Sequence, residues 1–207
     1  MKKALIISCK NLGENRTMAT ALCQDIGKSN CYLNAKLHSN ITGAMGLFEM
    51  QGKPELPNIT ALKTYSLYES EKVTTKLLLQ WQQYLHFLNK NLAYNQVENT
   101  LLEAVITCTQ NNNFSELSLV NLYLKTFATL GYRFDWNYCV LTKKHHERLH
   151  FLSPKSGNAV CYEAGKRYQS KLFEIPAVIY DQKKTETLPQ AWRIINYFSN
   201  KWQNNIA

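Results

Sequence analysis

One feature constrains the fold of this chain more than any other: between Pro57 and Gly131 it contains neither glycine nor proline. Glycine and proline interrupt helices and mark turns, so a long segment without them favours continuous helices. All 8 glycines and all 5 prolines lie at residues 1–57 or from residue 131 onward. The distribution predicts a strand-rich start, a helical centre and a mixed C-terminal part.

Three apolar stripes with a spacing of three to four residues lie in or next to this segment, and they predict three helices. Such stripes are typical of helix packing rather than of a cofactor site, and Gly131 stands where it would end the third helix. A fourth helix is predicted at about residues 188–204. The stripes are Leu77, Trp81, Tyr84, Leu85, Leu88 and Leu92; Val97, Leu101, Leu102, Val105 and Cys108; and Phe114, Leu117, Val120, Leu124, Phe127 and Ala128.

The first 70 residues contain five short segments that we interpret as strands, although the second also fits a helix. They are residues 4–10, 16–24, 31–37, 46–51 and 59–68. Five short strands in so short a stretch predict a small closed barrel of the OB type. The expected fold is therefore α+β, with an N-terminal OB-fold barrel at residues 1–70 and a helical domain at residues 71–207.

Composition excludes several classes of protein. Of the 207 residues 45% are hydrophobic, which is enough for a packed core. No apolar stretch approaches the length of a membrane helix, and the apolar run at residues 4–7 is too short for a signal peptide. We therefore expect a cytoplasmic protein with six reduced cysteines and no membrane partner. Nucleotide-binding glycine motifs do not occur in the sequence.

The net charge of +9 indicates an anionic partner, either nucleic acid, an anionic membrane or an acidic protein. Basic residues exceed acidic ones in residues 1–70 and in residues 143–184, whereas residues 71–142 are balanced. The charge therefore predicts two basic regions on either side of a neutral centre.

A run of motifs begins where the third predicted helix ends. Leu130-Gly131-Tyr132 is followed by Cys139, then by Phe151-Leu152-Ser153-Pro154 and Val160-Cys161. In this order the motifs resemble the RecO family of bacterial DNA repair and recombination mediators. The N-terminal Leu12-Gly13-Glu14 and the later Gly27-Lys28 and Ala35-Lys36-Leu37-His38-Ser39 are similar to the opening strands of that family, so the resemblance covers most of the chain.

The chain departs from the family at its zinc motif, which consists of two Cys-x-x-Cys pairs. Thr142 and Ala164 stand where the second cysteine of each pair is expected, and two thiolates do not complete a tetrahedral site. A substitute site is conceivable, because three histidines lie between Cys139 and Cys161; they are His145, His146 and His150. His146 and His150 have an x₃ spacing, but the usual combination of a C-x₂₋₄-C pair with an H-x₃₋₅-H pair is absent. We predict a degenerate zinc-knuckle-like hairpin at about residues 137–165, with no metal and no cofactor.

The resemblance implies a non-enzymatic protein that binds single- and double-stranded DNA without sequence preference and promotes strand annealing. It also implies help in loading the recombinase onto DNA coated with single-strand-binding protein. The implied partners are RecR and the acidic C-terminal tail of the single-strand-binding protein. The candidate DNA-binding residues are Lys10, Arg16, Lys28 and Lys36, and the candidate partner-binding residues are Lys166, Arg167 and Lys171.

Two other classes of function remain open from the sequence. One is a protein-interaction adaptor that has the barrel but does not bind DNA. The other is a metal or thiol enzyme that uses Cys139, Cys161 and the nearby histidines. Carboxylates are sparse and unpaired in the sequence, which argues against a hydrolase or a two-metal nuclease, and no catalytic residue is predicted.

Overall fold

The computed structural model describes residues 2–13, 16–33, 42–51, 58–65, 73–110 and 114–204. They belong to two compact units, residues 1–122 and residues 123–207. This division falls inside the third helix, whereas the sequence predicted a domain boundary at residue 70. The first two helices are thus grouped with the strands, and an independent domain of residues 1–70 stays a prediction.

The first unit contains five strands, as the sequence predicted. They are β1 (Lys2–Gly13), β2 (Arg16–Cys23), β3 (Gly27–Leu33), β4 (Met45–Gln51) and β5 (Asn58–Tyr65). The ambiguous second segment is a strand. The third strand begins at Gly27 rather than at Cys31, and the part of the prediction at residues 34–37 lies outside the described residues.

These strands close into a barrel in the order β1-β2-β3-β5-β4, with β4 pairing back onto β1. All neighbouring pairs are antiparallel except β3 and β5, which are parallel. Closure of a sheet leaves few unpaired edge groups exposed. Small side chains fill most of the interior; the core cluster is Ala4, Ile6, Ala19, Ala21, Cys23, Cys31, Leu33, Ala44 and Phe48.

Three helices follow: α1 (Thr75–Asn91), α2 (Asn99–Gln110) and α3 (Glu116–Thr129). Their positions confirm the three stripes predicted from the sequence, and α1 and α2 contact β1. At the start of α1, the hydroxyl of Thr74 accepts a hydrogen bond from the Leu77 N–H at 3.3 Å, which satisfies one unpaired amide of the first turn.

The predicted end of α3 at Gly131 is also confirmed. Gly131 has φ +86°, a left-handed conformation in which a glycine is favoured. Its N–H donates to the Ala128 carbonyl at 3.1 Å, and the Tyr132 N–H donates to the Phe127 carbonyl at 2.7 Å. This pair of bonds is the Schellman pattern that ends many helices.

The second unit combines short strands with two further helices, α4 (Tyr162–Gly165) and α5 (Leu188–Asn204). The helix α5 confirms the predicted last helix. The strands are β6 (Tyr138–Cys139), β7 (Lys144–His145), β8 (Phe151–Leu152), β9 (Ala159–Val160) and β10 (Phe173–Glu174), in the sheets β6-β7 and β10-β8-β9. The chain is therefore α+β.

Aromatic side chains form the centre of the second unit. Phe127 lies edge-on to Trp202 with ring centroids 4.5 Å apart, and Phe134 lies against Phe198 at 5.1 Å. Such offset and edge-to-face pairs stabilise the fold by more than the hydrophobic area that they bury.

Across the residues that the structure describes, no helix combines the length and the apolar character needed to cross a membrane.

Candidate nucleic-acid interface

A row of three residues crosses the barrel surface from strand to strand. Lys10 on β1 pairs with Met18 on β2, and Met18 pairs with Tyr32 on β3. Residues that pair directly across antiparallel strands point to the same face of the sheet. The neighbouring Ala19 and Cys31 are in the barrel core, so the row Lys10–Met18–Tyr32 faces outward.

The composition of this row is suited to a single nucleic-acid strand. Lys10 is exposed, and Tyr32 is 37% exposed although it lies on β3, which pairs with β2 on one side and with β5 on the other. Leu12, two residues beyond Lys10, is exposed as well. Proteins that bind single strands combine cations for the phosphates with aromatic rings on which the bases stack. We call this row the barrel row.

The predicted DNA-binding residues do not all lie on the barrel row. Lys10 is part of it. Arg16 begins β2 opposite Gly13, but its side chain is not among those described, and all of Lys36 lies outside the described residues. Among the aromatic residues of the first 70, Phe48 is completely buried in the barrel core and is not available for stacking.

Lys28 differs most from the prediction, because it is buried rather than exposed. Only 3% of it is accessible to solvent. Its ammonium group donates to the carbonyl of Leu92 at 3.1 Å and to the carbonyl of Asn89, both at the end of α1. Burial lowers the pKa of the Lys28 ammonium group. Lys28 thus joins the barrel to α1, and a DNA-binding role for it is not maintained.

The glycine before Lys28 shows how closely the two elements approach. A Cβ atom at Gly27 would lie 2.1 Å from the Gln96 carbonyl oxygen, and the glycine has φ +85°. Next to it, the Asn95 N–H donates to the Lys28 carbonyl at 2.9 Å. The Gly27-Lys28 motif is therefore a structural joint between the start of β3 and the connection from α1 to α2.

Tyr94 was not identified from the sequence, although it is half exposed next to this joint. Its ring centroid lies 4.3 Å from the Lys28 ammonium nitrogen, and its hydroxyl donates to the Asn30 side-chain oxygen at 3.4 Å. No periodic pattern in the sequence indicates this residue, because Tyr94 lies in the connection between two helices.

The three predicted partner-binding residues lie together on one segment of the second unit. Lys166, Arg167 and Lys171 belong to the 3₁₀ helix Lys166–Lys171, and all three are exposed. Tyr168, in the same helix, is 56% exposed, and the Lys166 ammonium nitrogen lies 5.5 Å from the ring centroid of Tyr162. The segment therefore presents cations together with accessible aromatic rings.

The degenerate zinc motif forms a compact cluster. Cys139 and Cys161 are buried, and the Cys161 N–H donates to the Cys139 sulfur at 3.3 Å. The possible ligand atoms of Cys139, Cys161 and His146 all lie within 4.8 Å of one another. Of the three histidines that the sequence offered, His145 and His150 are exposed and outside this cluster.

The two thiols of the cluster have shifted pKa values in opposite directions. Burial acts to raise the pKa of Cys139, but hydrogen bonds from the Thr142 hydroxyl and from the backbone of Cys161, Thr142 and Leu141 together lower it to about 7. Burial raises the pKa of Cys161, and the neighbouring Cys139 raises it further. The donors around Cys139 thus favour its thiolate form.

The thiols of the first unit do not share the lowered pKa of Cys139. Burial raises the pKa of Cys23 and of Cys31 to about 12, and it also raises the pKa values of Cys9 and Cys108. These cysteines are protonated at neutral pH. Cys23 and Cys31 behave as small apolar residues of the barrel core, and Cys9 and Cys108 are partly buried.

In a comparison with protein-family models, no model matches the chain. Proteins named DNA repair protein RecO do match: that of Rickettsia bellii is 34% identical over 93 residues, which are 44% of this chain and 38% of the relative. That of Rickettsia typhi is 30% identical over 122 residues, 56% of this chain and 51% of the relative.

The RecO protein of Rickettsia canadensis is 34% identical over 86 residues, which are 40% of this chain and 35% of the relative. In each case the match spans about half of the relative's length or less. The resemblance carried by the motifs is confirmed, and these matches support the RecO family as the family of this chain.

Proposed function

We propose that the protein is a non-enzymatic mediator of DNA repair and recombination that binds single- and double-stranded DNA with little sequence preference. The barrel row is the observation that carries this proposal, because it places an exposed cation and an exposed aromatic ring on the same face of the barrel, with Met18 between them. The relatives named DNA repair proteins and the net charge of +9 support it.

We further propose that the barrel is an OB fold. The strand order β1-β2-β3-β5-β4 with β3 parallel to β5 supports this assignment, since an OB fold is a five-stranded Greek-key barrel. OB folds bind oligonucleotides on the face of strands 2 and 3 and with neighbouring loops. Met18 and Tyr32 of the barrel row lie on those two strands.

The proposed mechanism is electrostatic and uses no chemical step. Lysine side chains replace the counterions of the phosphates, and aromatic rings stack on bases without reading their sequence. A protein that holds two strands in this way reduces the repulsion between them, which promotes annealing. In this proposal the basic segment of residues 143–184 provides a second contact for DNA or for an acidic peptide.

The 3₁₀ helix Lys166–Lys171 is the proposed site for the acidic tail of the single-strand-binding protein. Its cations would pair with the carboxylates of the tail, and the exposed rings of Tyr162 and Tyr168 would contact apolar side chains. Recombinase loading and the partner RecR come to this chain only from its resemblance to RecO. They stay predictions, as does the cytoplasmic location.

The test is a fluorescence anisotropy titration of a labelled oligothymidine with the whole protein. Tyr32→Ala is expected to weaken binding by roughly 5–150-fold, the effect of about 1–3 kcal/mol of lost stacking. Tyr32→Phe keeps the ring and should bind like the parent protein. Lys90→Ala removes a matched exposed cation on α1, outside the barrel row, and should bind similarly to the parent.

Two results would change the proposal. If Tyr32→Ala and Lys10→Ala bind normally while a variant with Lys166, Arg167 and Lys171 changed to Ala does not, the DNA site lies on the second unit. If no variant and no parent protein binds DNA at low salt, while an acidic tail peptide still binds, the protein is the adaptor without DNA binding.

A further inference from the structure

We propose that Tyr32 and Tyr94 form a two-ring platform on which two bases of one DNA strand stack, and that this platform makes the protein prefer single-stranded DNA to duplex DNA. The inference rests on the proposed DNA-binding function and deepens it. It adds a contact residue from outside the barrel and names the form of DNA that this residue selects. Both tyrosines lie in the first unit.

The strand register places the hydroxyl of Tyr94 next to the barrel row. Thr20 on β2 pairs with Asn30 on β3, and this pair lies two residues along the strands from the barrel row, so it faces outward as the row does. The side-chain oxygen of Asn30 accepts hydrogen bonds from the Thr20 hydroxyl at 3.1 Å and from the Tyr94 hydroxyl at 3.4 Å. The Tyr94 hydroxyl therefore lies on the same outer face of the barrel as Tyr32.

The backbone on either side of the Tyr94 ring is fixed to the barrel. Tyr94 forms a parallel bridge with Lys28, and the Asn95 N–H donates to the Lys28 carbonyl at 2.9 Å. Further along the same connection, the Asn99 side-chain oxygen accepts a hydrogen bond from the Asp25 N–H at 2.9 Å. A ring that is held in position before binding loses little freedom when a base stacks on it, and this preorganisation favours affinity.

One face of the Tyr94 ring is available to a ligand. The Lys28 ammonium nitrogen lies 4.3 Å from the ring centroid and covers one face. Tyr94 is nevertheless 50% exposed, which leaves the opposite face open. Of the aromatic side chains that the structure describes in the first unit, only Tyr32 and Tyr94 are exposed. Such rings stack on bases of any sequence, because every base has a π face.

The separation of the two rings suits an unpaired strand. Asn30, which binds the Tyr94 hydroxyl, is two residues from Tyr32, or about 7 Å along β3. Stacked bases of a duplex strand are only about 3.4 Å apart, and they do not present their faces to a protein surface. An unpaired strand can separate its bases and place one on each ring. The platform therefore adds affinity for single strands, whereas a cation such as Lys10 can contact the phosphates of either form.

The first test is an anisotropy titration of the whole protein with a labelled oligothymidine and with the same oligothymidine paired to oligoadenine. Tyr94→Ala is expected to weaken single-strand binding by roughly 5–150-fold and to leave duplex binding unchanged. Tyr94→Phe keeps the ring and should retain most of the single-strand affinity. Val97→Ala is the matched control, because Val97 is 49% exposed on the same connection and has no ring; it should bind both DNAs as the parent does.

The outcomes separate this inference from the proposed function. If Tyr32→Ala weakens single-strand binding and Tyr94→Ala does not, the platform is wrong and the DNA-binding function stands. An equal loss of single-strand and duplex affinity in Tyr94→Ala would overturn the selection of single strands. If the parent protein binds neither DNA at low salt, the proposed function itself fails, and the platform fails with it.

The second test uses the parent protein and so does not depend on the folding of a variant. An oligothymidine with one 5-iododeoxyuridine is irradiated in the complex, and the cross-linked residues are identified by tandem mass spectrometry. Adducts at Tyr32 and at Tyr94 are expected with the single strand, and none at Tyr94 with the duplex. A Tyr32 adduct without a Tyr94 adduct would overturn the platform. Circular dichroism of each variant identifies any that unfold, and for those variants the cross-linking result decides.

Discussion

Lys28 illustrates, at the scale of single residues, how position in the fold separates two roles for the same side chain. A lysine whose ammonium group contacts carbonyls at the end of α1 stabilises the fold, whereas an exposed lysine such as Lys10 is available to a phosphate. Sequence predicted both as DNA-binding residues, since charge alone does not indicate burial.

Lys28→Met is the first prediction, because it keeps the aliphatic stem and removes the ammonium group. It should lower the free energy of unfolding by about 1.5–3 kcal/mol, the contribution of a hydrogen bond to a charged group. Urea denaturation measures this change. The folded variant should bind DNA as the parent does, so a large loss of DNA affinity without loss of stability would contradict the structural role.

Lys10→Met is the matched control for Lys28→Met. As an exposed substitution it should change the free energy of unfolding by less than about 0.5 kcal/mol, while it weakens DNA binding. The two variants therefore separate stability from binding in opposite ways. An equal effect of both variants on both measurements would show that the structure does not distinguish the two lysines.

Cys23 and Cys31 give a second prediction, on pH dependence. Both thiols have a folded-state pKa raised to about 12, whereas an unfolded thiol has a pKa near its ordinary value of 9.0. The unfolded chain therefore loses protons first as the pH rises, and stability falls between about pH 9 and pH 12. Below pH 9 these two groups contribute no slope.

The measurement is the free energy of unfolding from urea titrations at several alkaline pH values. Replacement of both Cys23 and Cys31 with Ala should lower stability at pH 7 but flatten the alkaline decline, by up to about 1.4 kcal/mol per pH unit for each thiol. A parallel decline in the parent and in the double variant would show that other groups cause it.

At the scale of elements, the sequence predicted most of what local pattern determines. The apolar spacing of α1, α2, α3 and α5 and the glycine after α3 correspond to the structure, because helix periodicity and helix ends are encoded within a few residues. The five barrel strands were predicted in number, but β3 begins four residues earlier than predicted. Its start depends on contact with a segment far along the chain.

The candidate sites show the same limit. The spacing of His145, His146 and His150 did not indicate which one meets the two cysteines, because that depends on how the β6–β7 hairpin returns to Cys139. The pairing of Lys10 with Tyr32 through Met18 required the strand register. The residue types indicated the chemistry of each site, but they did not indicate which residues lie close together in the fold.

The joint between β3 and the connection from α1 to α2 gives the third prediction. Gly27→Ala should destabilise the protein by more than about 2 kcal/mol, because it combines left-handed backbone strain with a Cβ atom 2.1 Å from the Gln96 carbonyl oxygen. Gly13→Ala is the matched control. Gly13 has φ +82°, but among the described residues no atom lies within 4 Å of the position that an alanine methyl group would take, so only the strain of about 1–2 kcal/mol applies.

Thermal and urea denaturation of the two variants measure this difference. Both substitutions introduce backbone strain. The additional loss of stability in Gly27→Ala therefore measures the close contact between β3 and the connection from α1 to α2. Equal destabilisation by the two substitutions would show that the contact at Gln96 relaxes without cost.

At the scale of the whole molecule, the net charge of +9 has a specific meaning only once its location is known. Lys28 contributes to this charge but is buried, while Lys10, Lys166, Arg167 and Lys171 are exposed. Lys28 is therefore not available for direct contact with a phosphate, whereas the exposed cations are. Each unit carries part of it on an exposed surface.

The dependence of DNA affinity on salt gives the fourth prediction and separates the two kinds of contact in the barrel row. For a single strand, the slope of log affinity against log salt is about −0.7 for each phosphate contacted. Lys10→Ala should make this slope less steep by about 0.7. Tyr32→Ala should lower the affinity at every salt concentration and leave the slope unchanged, because stacking releases no counterion.

Anisotropy titrations at four or five salt concentrations measure both quantities for each variant. Lys10→Arg keeps the charge and should keep the slope, while Lys90→Ala controls for the removal of an exposed lysine elsewhere in the first unit. If Lys10→Ala leaves the slope intact, the lysine does not contact a phosphate. If Tyr32→Ala changes the slope as well, the ring positions a cation rather than a base, and the barrel row acts through charge alone.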